Sequence, residues 1–198
     1  ALMQGLADGY FVIPYTLGNY LADEIYSKAI STEHEAFAAA EKSVSDRLNT
    51  LINIKGSQTV ESFHKRLGKI IWDKCGMARN EAGLLQAIAE VQALKKEFWS
   101  DVKIPGDVSE YNSELDKAGR VADFIELGEL MCKDALDRNE SCGGHFREES
   151  QTEEGEALRH DDKYMYVAAW EYAGESQWNL HKEPLVYDVI KPSQRNYK

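Results

Sequence analysis

The sequence predicts a mainly α protein, an antiparallel helical bundle of three main helices followed by a small β-hairpin unit. Three observations predict it. Apolar residues recur three and four apart in successive segments, and Gly- or Pro-containing breaks separate those segments. Past residue 141 the composition shifts to polar loop and then to aromatic, β-branched runs. Consecutive one-sided stripes joined by short breaks are what an antiparallel bundle needs.

Residues 1–31 read as one helix with Leu2, Leu6, Tyr10, Ile13, Leu17 and Leu21 on a continuous stripe. Pro14 is expected to kink it, because its ring clashes with the preceding turn. The stripe is already in progress at residue 1, so a piece of a longer chain is expected. Thr32 to Glu35 has the capping-box form T-x-x-E, which predicts a second helix with Phe37, Ala40, Val44, Leu48 and Leu51 on its apolar face. "IKGSQ" (54–58) is a break. Val60, Phe63, Leu67 and Ile70 then follow helical spacing as far as "DKCG", where Gly76 is suited to a helix stop.

Asn80 can cap the next helix, over 81–101, with Leu84, Ala87, Val91, Leu94 and Phe98 on one side. "KIPGD" (103–107) is a turn. The longest helix is predicted over 110–139, with Val121, Phe124, Gly128, Met131 and Ala135 on one face and Ile125 and Cys132 beside it. So wide a stripe implies burial on more than one side. "YMYVAAWEY" (164–172) reads as one strand and "PLVYDVI" (184–190) as its partner.

Charge and cysteine usage exclude some functions. The 198 residues carry a net charge of −11, so nothing here could replace counterions along a nucleic acid, and no nucleic-acid partner is expected. The most apolar segment, "YFVIPYTLGNYL", is broken by Pro14 and Gly18 and falls short of the roughly 20 residues a membrane span needs. Cys75, Cys132 and Cys142 have neither disulfide-framework nor metal-pair spacing, which points to reduced thiols in a reducing compartment. No phosphate-binding glycine loop, zinc-protease helix or nucleophile elbow is present. His160, Asp161 and Asp162 are adjacent but share no face, and with Glu148, Glu149, Glu153 and Glu154 they read as solvated charge; no metal site is expected.

The stretch "SCGGHFREES" (141–150) is different. One glycine, or both, could supply the positive φ with which the long helix ends near Ser141. That leaves His145 and Arg147 unexplained. On extended backbone, positions i and i+2 point to one side, so imidazole and guanidinium would sit together, suited to a carboxylate or to neighbouring backbone carbonyls.

"IELGELM" (125–131) running into "ESCGGHFREE" (140–149) resembles the C-terminal helical region of succinate dehydrogenase and fumarate reductase flavoprotein subunits. The resemblance extends back to "ALMQGLADGYF" and forward to "KYMYVAAWEY" and "PLVYDVIKPSQRNY". It implies a terminal helix of an FAD-binding domain at 1–31, a spectrin-repeat-like helical domain at 32–150, and a loop with a small β unit and tail at 151–198.

The resemblance also implies that the catalytic groups, the covalent FAD and the dicarboxylate pocket lie upstream, and that this stretch alone binds no FAD and is inactive. Ala1 and Leu2 align with positions whose backbone meets the flavin, where free helix N–H groups would favour negative charge. His145 and Arg147 are expected at an interface with the flavin domain or a partner subunit. The implied partners are an iron–sulfur subunit and, through it, a membrane cytochrome b anchor. Location would be cytoplasmic, peripheral to the inner face of the cell membrane. Cys142 stands where that family has arginine, and a short thiol cannot imitate a bidentate fork. L-Aspartate oxidase, with a similar motif, and an independent helical interaction module are the alternative readings.

Overall fold

The computed structural model describes residues 2–193. The chain divides into two compact units, Ala1–Ser45 and Asp46–Lys198. In the first, helical turns run Leu2–Ala7, Asp8–Val12, Ile13–Tyr15 and Thr16–Tyr20. The second and fourth are π-helical and flank Pro14, which has no N–H to give an ordinary helical bond. The hydroxyl of Thr16 donates to Val12 O at 2.8 Å on the same stretch. The helix stops at Tyr20 and not near residue 31; Leu21 takes φ −100°, ψ 13°, and turns follow. No described residue of this unit is buried.

A long helix, α1 (Glu35–Asn53), leads into the second unit. It begins on Glu35, where His34 Nδ1 accepts from Ala36 N, so the Thr32 box does not form its cap. Only its last turns are buried, through Leu51 and Ile52; Phe37 and Val44 are exposed, against expectation. Gly56 then passes the end of a later helix so closely that a Cβ there would lie 1.9 Å from Asp101 O. Only glycine fits, which is why "IKGSQ" is a break. Beyond it Gln58 and Thr59 pair in parallel with Val102 and Lys103.

The bundle is α2 (Val60–Lys74), α3 (Glu81–Asp101) and α4 (Ser113–Asp137), each packed on the other two. Side chains cap their starts. Thr59 accepts from Ser62 N, Asn80 from Gly83 N, and Asn112 from Glu114 N and Leu115 N. Leu84, Ala87, Val91, Leu94 and Phe98 of α3 are all buried as their spacing predicts, and Phe98 meets Phe63 edge to face at 5.2 Å. On α4 the buried line runs through Ala118, Val121, Ala122, Ile125, Gly128, Cys132 and Ala135. Phe124 and Met131, expected inside, are 44% and 43% exposed; the tighter α2 contact falls on Gly128, beside Leu67 and Ile71.

The hairpin is β1 (Tyr166–Gly174) and β2 (Gln177–Pro184), antiparallel, with Tyr166 opposite Pro184 and Gly174 opposite Gln177. The second strand therefore precedes the predicted 184–190. Its two-residue turn, Glu175–Ser176, puts Ser176 at φ 55°, and beyond Leu185, whose N–H donates to Met165 O, residues 186–190 belong to no strand. Lys133 Nζ donates to Ser176 O, Trp170 Nε1 to Asp134 Oδ1 and Tyr166 OH to Asp137 Oδ2, so the hairpin lies along α4 through polar contacts.

Candidate functional site

The last turn of α4 leaves carbonyls without helical partners. The chain after it satisfies them. The helix ends at Asp137, with Arg138 leaving helical geometry at φ −87°, ψ 85°, so the glycines that follow are not its stop. Gly143, at φ +61°, instead closes a two-residue turn in which Cys142 and His145 exchange backbone hydrogen bonds of 2.8 and 3.1 Å. That turn sends residues 145–149 back beside Arg79, whose N–H donates to Phe146 O and whose carbonyl accepts from Glu148 N.

Arg147 is 1% exposed. Its Nη1 donates to Ala135 O at 2.8 Å and Leu136 O at 3.1 Å, placing a cation at the negative end of α4. Its Nε donates to Glu149 Oε2 at 3.0 Å, and the other oxygen of Glu149 accepts from Glu81 N, the first residue of α3. An anion thus sits at the positive end of that helix. Burial works to raise the Glu149 carboxyl, but the hydrogen bonds from Arg147 and Glu81 outweigh it and hold it below the usual range. Ser141 completes the brace: its Oγ accepts from Arg147 N at 2.8 Å and donates to Arg147 O.

His145 does not join Arg147 in one shared site. Its Nε2 meets Arg138 O at 2.7 Å, and its Nδ1 meets Arg79 Nη1 at 2.7 Å. A guanidinium can only donate, so Nδ1 accepts and Nε2 carries the proton given to the carbonyl. Burial, with Arg79 and Arg147 nearby, depresses its pKa and keeps the ring neutral. Of the two ligand types expected for this pair, backbone carbonyls take both side chains and a carboxylate takes Arg147 as well.

Around this corner the polar groups are closely interlinked. Arg138 donates to Glu140 and to the carbonyls of Tyr164 and Tyr166, with its guanidinium 4.9 Å from the Tyr166 ring centre. Buried Glu140 accepts from His160 N. Asp161 pairs with Arg159, and among the described residues no three His, Cys, Asp or Glu gather as a metal-holding group. Cys142 is exposed. Cys75 and Cys132, far apart in sequence, meet in a buried cluster with Leu84, Ala87 and Ala135. The Cys132 thiol, donating to Cys75 and buried, is pushed up, and Cys75 is correspondingly lowered.

Four contributors escaped the sequence reading. Arg79 and Ser141 carry no pattern of their own, and Glu149, expected as solvated charge, is instead paired with Arg147. The signal for Glu149 was its i+2 spacing from Arg147, which the extended chain converts into an ion pair. Glu129 was hidden within the helical stripe of α4. It is 0% exposed and accepts from Gln92 Nε2 at 2.9 Å and Ser176 Oγ at 3.0 Å, with Lys133 Nζ at 2.9 Å. Burial alone would raise its carboxyl; these three donors outweigh that and hold it below the usual range. Leu2 opens the N-terminal helix and is exposed, and Ala1 lies outside the described residues.

The corner and the bundle that carries it have known counterparts. A sequence model of the family described as "Fumarate reductase flavoprotein C-term" matches residues 64–197. The chain belongs to that family. The fumarate reductase flavoprotein subunit of Helicobacter pylori is 26% identical over 187 residues, which cover 91% of this chain and 25% of that subunit. An uncharacterized FAD-dependent oxidoreductase of Methanocaldococcus jannaschii is 29% identical over 110 residues, 56% of this chain and 19% of its own. The chain therefore spans about a quarter or less of these relatives.

Among solved structures, FrdA of a mutated E. coli quinol fumarate reductase superposes with a TM-score of 0.70 at 22% identity, over 85% of this chain and 27% of its own. The Mycobacterium smegmatis Sdh1 complex superposes with a TM-score of 0.62 at 21% identity, over 74% of this chain and 24% of its own. The helical bundle with its C-terminal hairpin is thus the fold of the fumarate reductase C-terminal region. Among the described residues, no helix is long and apolar enough to cross a membrane.

Proposed function

We propose that this chain is the C-terminal portion of an FAD-containing subunit that interconverts succinate and fumarate and passes electrons through an iron–sulfur subunit to quinone. Within that subunit it serves as scaffold and as interface, with no catalytic side chain of its own. The observation that carries this reading is the corner at 138–150. In a family-matched segment, the side chains of Arg147 and Glu149 join α3 to α4, and His145 joins the residue just past α4, Arg138, to Arg79 just before α3. Groups held this way build a wall; they do not turn over substrate.

The contribution toward the flavin proposed for Ala1 and Leu2 is backbone; Leu2 opens the N-terminal helix. FAD, when bound in the parent subunit, supplies the exchange of an electron pair with the dicarboxylate. The free amides of this helix start would favour negative charge on the flavin ring. The same reading keeps a domain boundary near residue 31, sets the braced corner with His145 and Arg147 at a seam with the flavin domain or partner subunit, and puts the complex at the inner face of the membrane through its partners. H. pylori and E. coli relatives named as fumarate reductase flavoprotein subunits support it.

The experiment is direct. Residues 1–198 and the full subunit that contains them are purified in parallel and assayed for bound flavin and for fumarate reduction by reduced viologen. The full subunit is expected to be yellow and active, and residues 1–198 colourless and inactive. Stoichiometric flavin on the short chain, or a full subunit without dicarboxylate activity, refutes the reading.

A further inference from the structure

The two buried cysteines stand on neighbouring parts of the bundle that run in the same direction. The ring of His64 lies 5.7 Å from that of Phe124, the side chains of Leu67 and Ile71 close on Gly128, and one turn further on Cys75 meets Cys132. Gly128 sets how near α2 comes to α4, since a Cβ there would lie 3.3 Å from Leu67 Cδ1 and 3.4 Å from Ile71 Cδ1. Cys132 follows Gly128 by four residues and Cys75 follows Ile71 by four, so the thiols repeat that close approach at the next turn.

The two sulfurs are not equivalent. Cys132 belongs to a regular turn of α4 and donates its S–H to Cys75. Cys75 is the first residue past α2, at φ −124°, ψ 18°, with its N–H still bonded to Ile71 O. The chain turns sharply after it: a Cβ on Gly76 would lie 2.5 Å from Trp72 O. Through that turn Arg79 comes back, its Nε donating to Gly76 O at 3.1 Å, and its positive charge acts on both sulfurs. The hydrogen bond from Cys132 lowers the Cys75 thiol below its ordinary range against the effect of burial, while Cys132 is pushed up. Negative charge therefore gathers on Cys75, with a protonated sulfur beside it. Thiols packed only as small apolar groups need neither the cation nor this difference.

We propose that Cys75 and Cys132 form a site of reversible oxidation, closing to a disulfide between the end of α2 and α4 when a small hydroperoxide reaches Cys75. The chain that leaves Cys75 is open to water at once, with Met77 and Ala78 exposed, which gives a small oxidant its approach. The Cys75 thiolate attacks one peroxide oxygen. An S–O bond forms, the O–O bond breaks, and the other oxygen leaves as alcohol or water, carrying the proton that Cys75 gave up. The peroxide has then accepted two electrons, and Cys75 is a sulfenic acid. The Cys132 sulfur attacks the Cys75 sulfur; the S–S bond forms, the S–O bond breaks, and hydroxide leaves as water with the Cys132 proton. Two thiols and one hydroperoxide thus become a disulfide, one alcohol or water, and one further water. A second thiol already in contact intercepts the sulfenic acid before further oxidation. The closed loop contains the whole of α3, so the bond restrains the unfolded chain across the bundle. The proposal does not rest on the succinate–fumarate reading.

The test uses the full subunit, reduced and then freed of reductant. It is treated with hydrogen peroxide, quenched in acid, alkylated with iodoacetamide under denaturing conditions and digested with trypsin without reduction. Cleavage after Lys74, Arg79, Arg120 and Lys133 isolates residues 75–79 and 121–133. Mass spectrometry is expected to find these two peptides joined, their free forms lost in equal amounts, and both restored by dithiothreitol. In the Cys132→Ala variant Cys75 should instead take dimedone, the trap for sulfenic acid, and in Cys75→Ala Cys132 should take none. If either variant misfolds, the joined peptide of the parent protein decides. Full alkylation of both cysteines after peroxide makes them core filler and overturns the proposal. So does Cys75 carried to sulfinic acid without the link, or joined to exposed Cys142 instead. Dimedone on Cys132 in the Cys75→Ala variant, or none on Cys75 in a folded Cys132→Ala variant, overturns the assignment of Cys75 as the attacking thiol.

Discussion

Arg147 and Glu149 share a hydrogen bond of 3.0 Å and then part, the guanidinium to the C-terminal carbonyls of α4 and the carboxylate to the first amide of α3. Each charge sits where the adjacent helix end wants it. Two side chains two residues apart thereby clamp two helices that run in opposite directions.

Removing the clamp should cost a large share of the domain's stability. Arg147→Met strands two carbonyls and a partly buried carboxylate, for a loss of about 3 kcal/mol. Arg147→Lys should recover less than half, because one ammonium cannot serve the carbonyls and Glu149 in the same fork. Urea unfolding of the full subunit, followed by a probe in this region, checks both. A lysine variant as stable as the parent removes the clamp from the account.

His145 gives a pH signature. Its folded pKa is depressed, so the unfolded chain binds the proton more readily. The stability it contributes is complete above the unfolded pKa of about 6.5 and is lost as pH falls from there through the lower folded value. His145→Gln should flatten that segment of the profile. Thermal melts between about pH 5 and 8 read it, and an unchanged slope in the variant contradicts the neutral, Nε2-protonated ring.

Glu129 works in a more acidic window. Its folded pKa is also depressed, so its contribution is present above the unfolded carboxylate value of about 4.3 and is lost as pH falls through the folded one. Glu129→Leu leaves Gln92 and Ser176 without their acceptor and Lys133 with only the Ser176 carbonyl, at about 1–3 kcal/mol. The loss should be local first. Hydrogen exchange is expected to quicken in β1 and β2 well before it does in α3, and uniform quickening would contradict a tether at the hairpin tip.

The core prediction is plainer. Leu94→Ala on α3 opens a void between three helices and should cost about 2–5 kcal/mol. Leu127→Ala on the exposed side of α4, 53% open to solvent, should cost under about 0.5 kcal/mol. Comparable losses at both positions would mean that the face through Phe124, Leu127 and Met131 is covered.

Much of this fold was legible because its decisive residues act locally. Asn80 caps the amide of Gly83, three residues on, and the stripe from Leu84 to Phe98 is buried throughout because α3 faces both other helices. The wide stripe of α4 was ambiguous for a physical reason. Gly128 lets α2 approach closely, which moves the inner line onto Ile125 and Cys132 and leaves Phe124 and Met131 outside. The second strand was misplaced because Gln177–Pro184 dilutes Trp178 and Leu180 with polar residues, and because the hairpin is held by hydrogen bonds to α4 that have no periodicity. His145 and Arg147 stood out in the sequence. Their partners did not, since a backbone carbonyl has no letter.

The turn at Gly143 leads straight into the clamp, so the most distinctive stretch of the chain is spent on holding helices together. An inherited lesion there would show in the cell as scarcity. Fewer subunits would survive quality control, and those that did would work at their ordinary pace.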